Sequence, residues 1–167
     1  MQEEIKYIIK DSALGSVLVA QSERGIRAIL IADDSLKLLA DLQDRFPKAY
    51  IEKADAQLEK LASKIVQFIE NPKGTLDIPL DIRGTDFQKK VWAALQEIPA
   101  GKTASYTDIA HNLNIPNAVR AVAGACAANA LAVVIPCHRI VRRDGALSGY
   151  HWGVDRKKKL LEIEGSR

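Results

Sequence analysis

Two cysteines in 167 residues are too few for a disulfide framework of the kind that staples small secreted domains. The three histidines, His111, His138 and His151, stand in no zinc-ligand spacing with Cys126 and Cys137, so no metal site is expected. No apolar run approaches the roughly 20 residues of a membrane span, and the opening MQEEIKYIIK has none of the marks of a signal peptide. These absences predict a soluble, cytoplasmic protein of a reducing compartment, where a thiol stays free. The chain is 47% hydrophobic and 27% charged, which is enough apolar material to bury a core without staples. Its length suits one compact domain or two small ones.

The net charge of +3 is unevenly divided. Residues 1–83 hold 12 Lys and Arg against 14 Asp and Glu, whereas residues 84–167 hold 12 against 7. A basic C-terminal half suggests a polyanionic partner, although charge alone is equally consistent with a solvated surface.

The first third alternates like strands. IKYIIK (5–10), SVLVA (16–20) and IRAILIA (26–32) are short, rich in β-formers and separated by Gly15 and Gly25, which predicts an antiparallel meander. Asp33 or Asp34 can cap a following helix with Leu36, Leu39 and Phe46 on one face. Leu58, Leu61, Ile65, Phe68 and Ile69 mark a second helix ending near Asn71-Pro72. LDIPL (76–80) reads as an edge strand, because its proline cannot donate to a ladder. Nothing in residues 1–83 carries chemistry, and this half is expected to be an α/β scaffold domain.

A second domain, 84–167, is expected to be mainly helical. Thr85 and Gln88 form a capping box for a helix with Phe87, Val91, Trp92 and Leu95 inward. Ser105 and Asp108 form another, for a short helix from Tyr106 to Leu113. NIPN (114–117) turns the chain into a third helix reaching about Asn129. Helix, short turn and helix make a helix-turn-helix candidate. The outer face of its second helix, AVRAVAGACAAN, is nearly all Ala and Gly with one large charged residue, Arg120. Small residues allow close approach to another surface, which would be a packed helix or, in a basic half, a nucleic-acid backbone. Cys126 in this helix reads as a small buried hydrophobe.

The segment LAVVIPCHRIVRRDGALSGYHWG (131–153) brings a thiol, an imidazole and a guanidinium together directly after Pro136. A reactive thiolate needs a nearby base or positive charge. His138 is adjacent to Cys137, but neighbours on a strand point to opposite faces, so contact needs a turn or an intervening water. A histidine base also needs an orienting partner. In VDRKKKLLEIEG, Val154, Leu160 and Leu161 form an inward stripe, and Glu164 falls on it. A carboxylate on that side needs a partner, which His138 can be. Arg139 reads as a structural or electrostatic partner, and Arg142-Arg143 and Lys157-Lys158-Lys159 as solvated faces. Three chemistries compete: a cysteine hydrolase, a DNA-binding regulator with an incidental cysteine, and a thiolate that attacks a damaged base presented by the helix-turn-helix. Only the third uses every unusual feature.

IPCHRIV with GYHWGVDRKKKLLEIEG resembles the O6-alkylguanine-DNA alkyltransferases. The stretch from SYTDIA through NAVRAV to SGYHWG is similar in particular to the C-terminal half of adaptive-response (Ada) proteins. That resemblance implies a ribonuclease-H-like sheet-and-helix N-terminal domain beside a helical C-terminal one. It also implies direct-reversal repair: the alkyl group of O6-alkylguanine, and of O4-alkylthymine, moves irreversibly onto the protein's own cysteine. The alternative is a non-catalytic alkylation-damage binder, whose kind replaces the cysteine that this sequence keeps.

By the resemblance Cys137 is the acceptor, His138 takes its proton through water, Glu164 orients His138, and Tyr106 protonates the leaving guanine. Arg120 fills the vacated stack, with Ala121, Gly124 and Ala125 on the slim DNA-facing helix surface, docking in the minor groove rather than the major groove of the usual motif. Asn129 braces the active-site turn, Pro136 lines the pocket, and Tyr150 and His151 lie on the loop that closes over the base. Trp152 stands where some relatives carry smaller residues and is expected to narrow the pocket against bulky adducts. The implied partner is double-stranded DNA containing alkylated guanine. No cofactor, membrane or obligatory protein partner is implied, and the protein is expected to be a monomer.

Overall fold

A computed structural model describes residues 3–72, 76–145, 147 and 149–165. By contacts the chain divides into two units, Met1–Asn71 with Thr75–Ile82, and Pro72–Gly74 with Arg83–Arg167. Ser148, part of the SGY stretch, lies outside the described residues.

In the first unit the meander forms as expected: β1 (Glu4–Ser12), β2 (Gly15–Gln21) and β3 (Ile26–Ala32). β1 and β2 pair antiparallel from Lys6↔Gln21 to Ser12↔Gly15, and β2 continues antiparallel to β3. Val17–Ala20 and Ala28–Ile31 are buried without interruption, the pattern of strands covered on both faces. A fourth strand, β4 (Tyr50–Lys53), runs parallel to β1 and gives the order β3-β2-β1-β4. It has no period-2 apolar pattern, which is why the sequence did not announce it.

Asp34 caps α1 (Ser35–Arg45), its side chain accepting from Leu36 N–H, and Asp55 caps α2 (Ala56–Glu70). The inward face of α1 corrects the expected one in part: Phe46 is buried as expected, but with Leu38 and Leu42, whereas Leu36 is 74% exposed. Segment 76–80 also departs from the reading as an edge strand. It makes only an isolated parallel bridge, Leu80 to Ile26, with Ile26 N–H donating to Pro79 O at 2.9 Å. That close approach needs Gly25, whose φ is +150° and where a Cβ would sit 2.6 Å from Pro79 O.

The second unit is built from α3 (Asp86–Gln96), α4 (Tyr106–Asn112), α5 (Val119–Ala127) and α6 (Val154–Ile163). Both expected capping boxes are present, Thr85 with Gln88 and Ser105 with Asp108. α3 and α4 each pack on α5, and Trp92 Nε1 donates to Ala125 O at 2.8 Å. Asn114, at φ 61°, turns the chain between α4 and α5, a left-handed conformation that asparagine tolerates better than most residues. No helix among the described residues is long and apolar enough to cross a membrane.

Candidate active site

The C-terminal end of α5 leads into a tightly bonded turn. Asn129 is fully buried. Its Oδ1 accepts from Leu131 N–H at 2.8 Å, and its Nδ2 donates to Ile135 O at 3.0 Å and to Cys137 Sγ at 3.4 Å. Between these anchors Val133 takes φ +68°, and Val134 N–H reaches back to Ala132 O at 2.7 Å. A β-branched residue in this region is strained, and Asn129 bonds the backbone on both sides of it.

Cys137, His138 and Arg139 follow as a single 3-10 turn. Ala104 N–H donates to Arg139 O and Val141 N–H to Ala104 O, pinning the turn beside the start of α4. All three side chains of the turn are buried. His138 Nε2 meets Glu164 Oε2 at 3.0 Å. Arg139 holds the same carboxylate, with Nη2 at 2.6 Å from Oε2 and Nε at 3.1 Å from both oxygens, and its Nη1 donates to Ile98 O. Glu164 directly follows α6, as its C-cap.

Burial alone would push the Glu164 carboxyl up, but the bonds and charges of His138 and Arg139 outweigh it and hold the group below its ordinary value. Burial pushes His138 down, so the ring is neutral near pH 7. With Nε2–H donated to a carboxylate, Nδ1 carries the lone pair, and Nδ1 is buried without a hydrogen-bond partner. The hydroxyl of Tyr150 is likewise buried and unbonded. Burial and the neighbouring Cys137 push its pKa well up, so it stays a phenol.

Cys137, Tyr106, Tyr150 and His151 line one cavity of about 300 Å³ together with Ala123, Cys126, Ala127 and Gly149. Cys137 Sγ also lies 3.5 Å from Cys126 O. Several expected residues sit elsewhere. Pro136 is buried just before the turn, its carbonyl accepting from Arg139 N–H, and is not on the cavity wall. Trp152 is 5% exposed and lies behind Tyr150, edge to face at 5.4 Å. Arg120, Ala121 and Gly124 are on the exposed face of α5. Ala125 corrects the expected DNA-facing set: it is 3% exposed and lies on the side of α5 bonded to Trp92.

Two further corrections concern α6. Val154 is 45% exposed rather than inward, and Lys157 is fully buried rather than solvated. Burial pushes the Lys157 ammonium down to about 8; Cys126 and burial hold the Cys137 thiol well above its ordinary value, and the Lys157 charge works against them without overcoming them. The signal was available in the spacing, since Lys157 stands three before Leu160 and seven before Glu164 on one helical stripe. The run of three lysines obscured it.

This arrangement has relatives. Residues 86–166 match the DNA-binding domain of 6-O-methylguanine DNA methyltransferase, and residues 5–82 match its ribonuclease-like domain. The chain is 51% identical over 160 residues to the Escherichia coli "Bifunctional transcriptional activator/DNA repair enzyme Ada", covering 96% of this chain and 45% of that protein. It thus spans about half the length of that relative. It is 43% identical to the inducible methylated-DNA–protein-cysteine methyltransferase of Bacillus subtilis, covering 98% of this chain and 87% of that one. In fold it resembles the Mycobacterium tuberculosis OGT crystallised with DNA, with a TM-score of 0.79 at 30% identity over 97% of this chain and 92% of that one. The matched domains together take in nearly the whole sequence, and the chain belongs to the 6-O-methylguanine DNA methyltransferase family.

Proposed function

We propose that this protein repairs DNA by moving the alkyl group of O6-alkylguanine, and of O4-alkylthymine, irreversibly onto its own Cys137. The observation that carries this reading is a thiol on the wall of a cavity, one residue from a neutral histidine held by a buried carboxylate. His138 Nδ1 takes the thiol proton through a water, and the Asn129 amide bonded to Sγ favours the thiolate. The sulfur attacks the alkyl carbon, the S–C bond forms and the O–C bond breaks. Tyr106, on the cavity wall, gives a proton to the departing guanine, which is a poor leaving group as an anion. A thioether does not return the group, so each molecule acts once and no cofactor takes part.

Chemistry at O6 requires the base to leave the stack, at a cost of a few kcal/mol. Arg120, exposed on α5, occupies the vacancy. Ala121 and Gly124 keep that helix face slim, and a Cβ at Gly124 would meet nothing within 4 Å. Tyr150 and His151 close over the extruded base. The partner is duplex DNA, with docking in the minor groove, and the protein acts as a cytoplasmic monomer divided into a scaffold, 1–83, and a working domain, 84–167.

Intact mass after mixing with duplex DNA carrying one O6-methylguanine tests this. One methyl group per chain is expected, placed on Cys137 by peptide fragmentation, with Cys137→Ala inert. Binding without mass gain would make the protein a damage sensor, and a methyl on Cys126 would move the acceptor.

A further inference from the structure

Cys126 has no part in the proposed transfer, yet its thiol is not simply packed away. It lines the same cavity as Cys137, and the two residues are 7% and 6% exposed. Cys137 Sγ lies 3.5 Å from the carbonyl oxygen of Cys126, and each thiol weighs on the ionisation of the other. We propose that Cys126 and Cys137 form an oxidisable dithiol, through which a small hydroperoxide converts the acceptor cysteine into a reversible intramolecular disulfide. The sulfur chemistry stands on this geometry alone. Only its consequence, silencing of repair, rests on Cys137 being the alkyl acceptor.

The electrostatics favour the first step. Cys137 and the Lys157 charge outweigh burial and ease loss of the Cys126 proton, whereas Cys126 and burial hold the Cys137 thiol well above its ordinary value. The pair therefore shares one thiolate, the form that reacts with peroxides. The thiolate attacks the O–O bond. An S–O bond forms, the O–O bond breaks, and the departing oxygen takes a proton to leave as water or an alcohol. Sulfur is oxidised by two electrons to the sulfenic acid and the peroxide is reduced by two. The second thiol then attacks the sulfenic sulfur, the S–S bond forms, the S–O bond breaks, and hydroxide departs with the thiol proton as water. A disulfide needs its sulfurs to approach about 2.05 Å, and Cys126 and Cys137 share one cavity wall, with the Cys137 sulfur already against the Cys126 backbone. The bridge also protects: without a neighbouring thiol, sulfenic acid proceeds to sulfinic acid, which ordinary thiols do not reduce. The cavity, about 300 Å³, admits hydrogen peroxide and small alkyl hydroperoxides.

The test needs no DNA. Both cysteines fall in one tryptic peptide, Ala121–Arg139. The full chain is treated with limiting hydrogen peroxide, free thiols are blocked with iodoacetamide, and the digest is read without reduction. The peptide is expected two hydrogens lighter than the dithiol and unblocked, and doubly blocked if dithiothreitol precedes the iodoacetamide. Cys126→Ala treated in the same way is expected to gain two oxygens on Cys137 that dithiothreitol does not remove. Wild-type protein that gains those oxygens on Cys137 while Cys126 remains blockable would overturn the proposal. So would a disulfide found only between chains, or no oxidation at all. The wild-type peptide decides the matter even where the variant fails to fold. Because alkyl transfer is not the readout, failure here is distinguishable from failure of the repair reading.

Discussion

Glu164 and His138 meet at 3.0 Å with both side chains closed to solvent, and the same carboxylate takes Arg139 at 2.6 Å. One buried anion therefore orients the imidazole and neutralises the guanidinium beside it. Each partner alone would be a costly burial. Together they place a neutral ring with a defined tautomer one residue from the thiol. Removing the anion should break both relations at once. Glu164→Gln keeps the shape but leaves Arg139 without its counter-charge, and breaking a buried pair costs about 3–5 kcal/mol. The urea midpoint should fall accordingly, and single-turnover transfer should slow even at temperatures where the variant is folded. An unchanged midpoint would mean that the pair is not closed to water in solution.

The same cluster sets the acid response. Folding lowers the pKa of both His138 and Glu164. The unfolded chain therefore binds more protons below each group's ordinary value, so stability is lost on acidification. The loss should begin near pH 6.5 for His138 and steepen near 4.3 for Glu164, values for unperturbed side chains. Denaturation curves taken from pH 8 to pH 4 should show this progression, and His138→Gln should remove the earlier part. A wild-type midpoint that is flat from pH 7 to 5 would contradict a buried neutral ring.

Asn129 is the second point of control. Asn129→Ala would strand Leu131 N–H, an orphaned buried donor costing about 1–3 kcal/mol, would leave Ile135 C=O with only its bond from Cys137 N–H, and would free Val133 from its strained conformation. It would also remove the amide that favours the Cys137 thiolate. Two outcomes are expected: a loss of stability in that range, and alkylation of Cys137 by iodoacetamide shifted to higher pH, followed in the Ala121–Arg139 peptide. A stable variant with an unshifted profile would show that the turn holds itself.

These relationships were unequally legible in the sequence. Capping boxes, the meander and the stripe carrying Glu164 were readable because each is a local pattern with a fixed period or spacing. β4 was not, since YIEK has no alternation and is defined only by its pairing with β1. Leu38 replaced Leu36 on the inner face of α1 because several leucines in that stretch allow more than one helical phase. Lys157 was hidden by its neighbours' charge, and the facing of Cys126 toward Cys137 follows from a turn whose path no period encodes. Arg139 could be read as a partner but not as Glu164's, since the one carboxylate on that stripe was matched to His138 and nothing local tells that it serves both.

The role proposed for Arg120 can be tested apart from the chemistry. It is exposed on α5 and has no contact with the buried cluster in the hydrogen bonds described. Arg120→Ala should slow transfer from duplex DNA while leaving transfer from the free modified base unchanged. Losing about 1.4 kcal/mol of the support for extrusion lowers the rate about tenfold. Equal slowing on both substrates would place Arg120 in the chemistry instead.

Trp152 packs against two walls of the cavity. Its indole is 5% exposed, touches Tyr150 edge to face at 5.4 Å and His151 at 4.9 Å, and leaves Nε1 without a hydrogen bond. Tyr150 and His151 are both cavity walls, so the indole limits how far either can retreat from a large substituent. Trp152→Ala should let Tyr150 fall back and raise the rate of reaction with O6-benzylguanine relative to O6-methylguanine. A stability loss of about 3–5 kcal/mol is expected for the deleted ring, so both rates are compared well below the variant's melting temperature. The ratio of the two rates, rather than either alone, carries the result, because general loosening would lower both. An unchanged ratio, or wild-type protein that already reacts efficiently with the benzyl substrate, would show that the indole does not set the size limit.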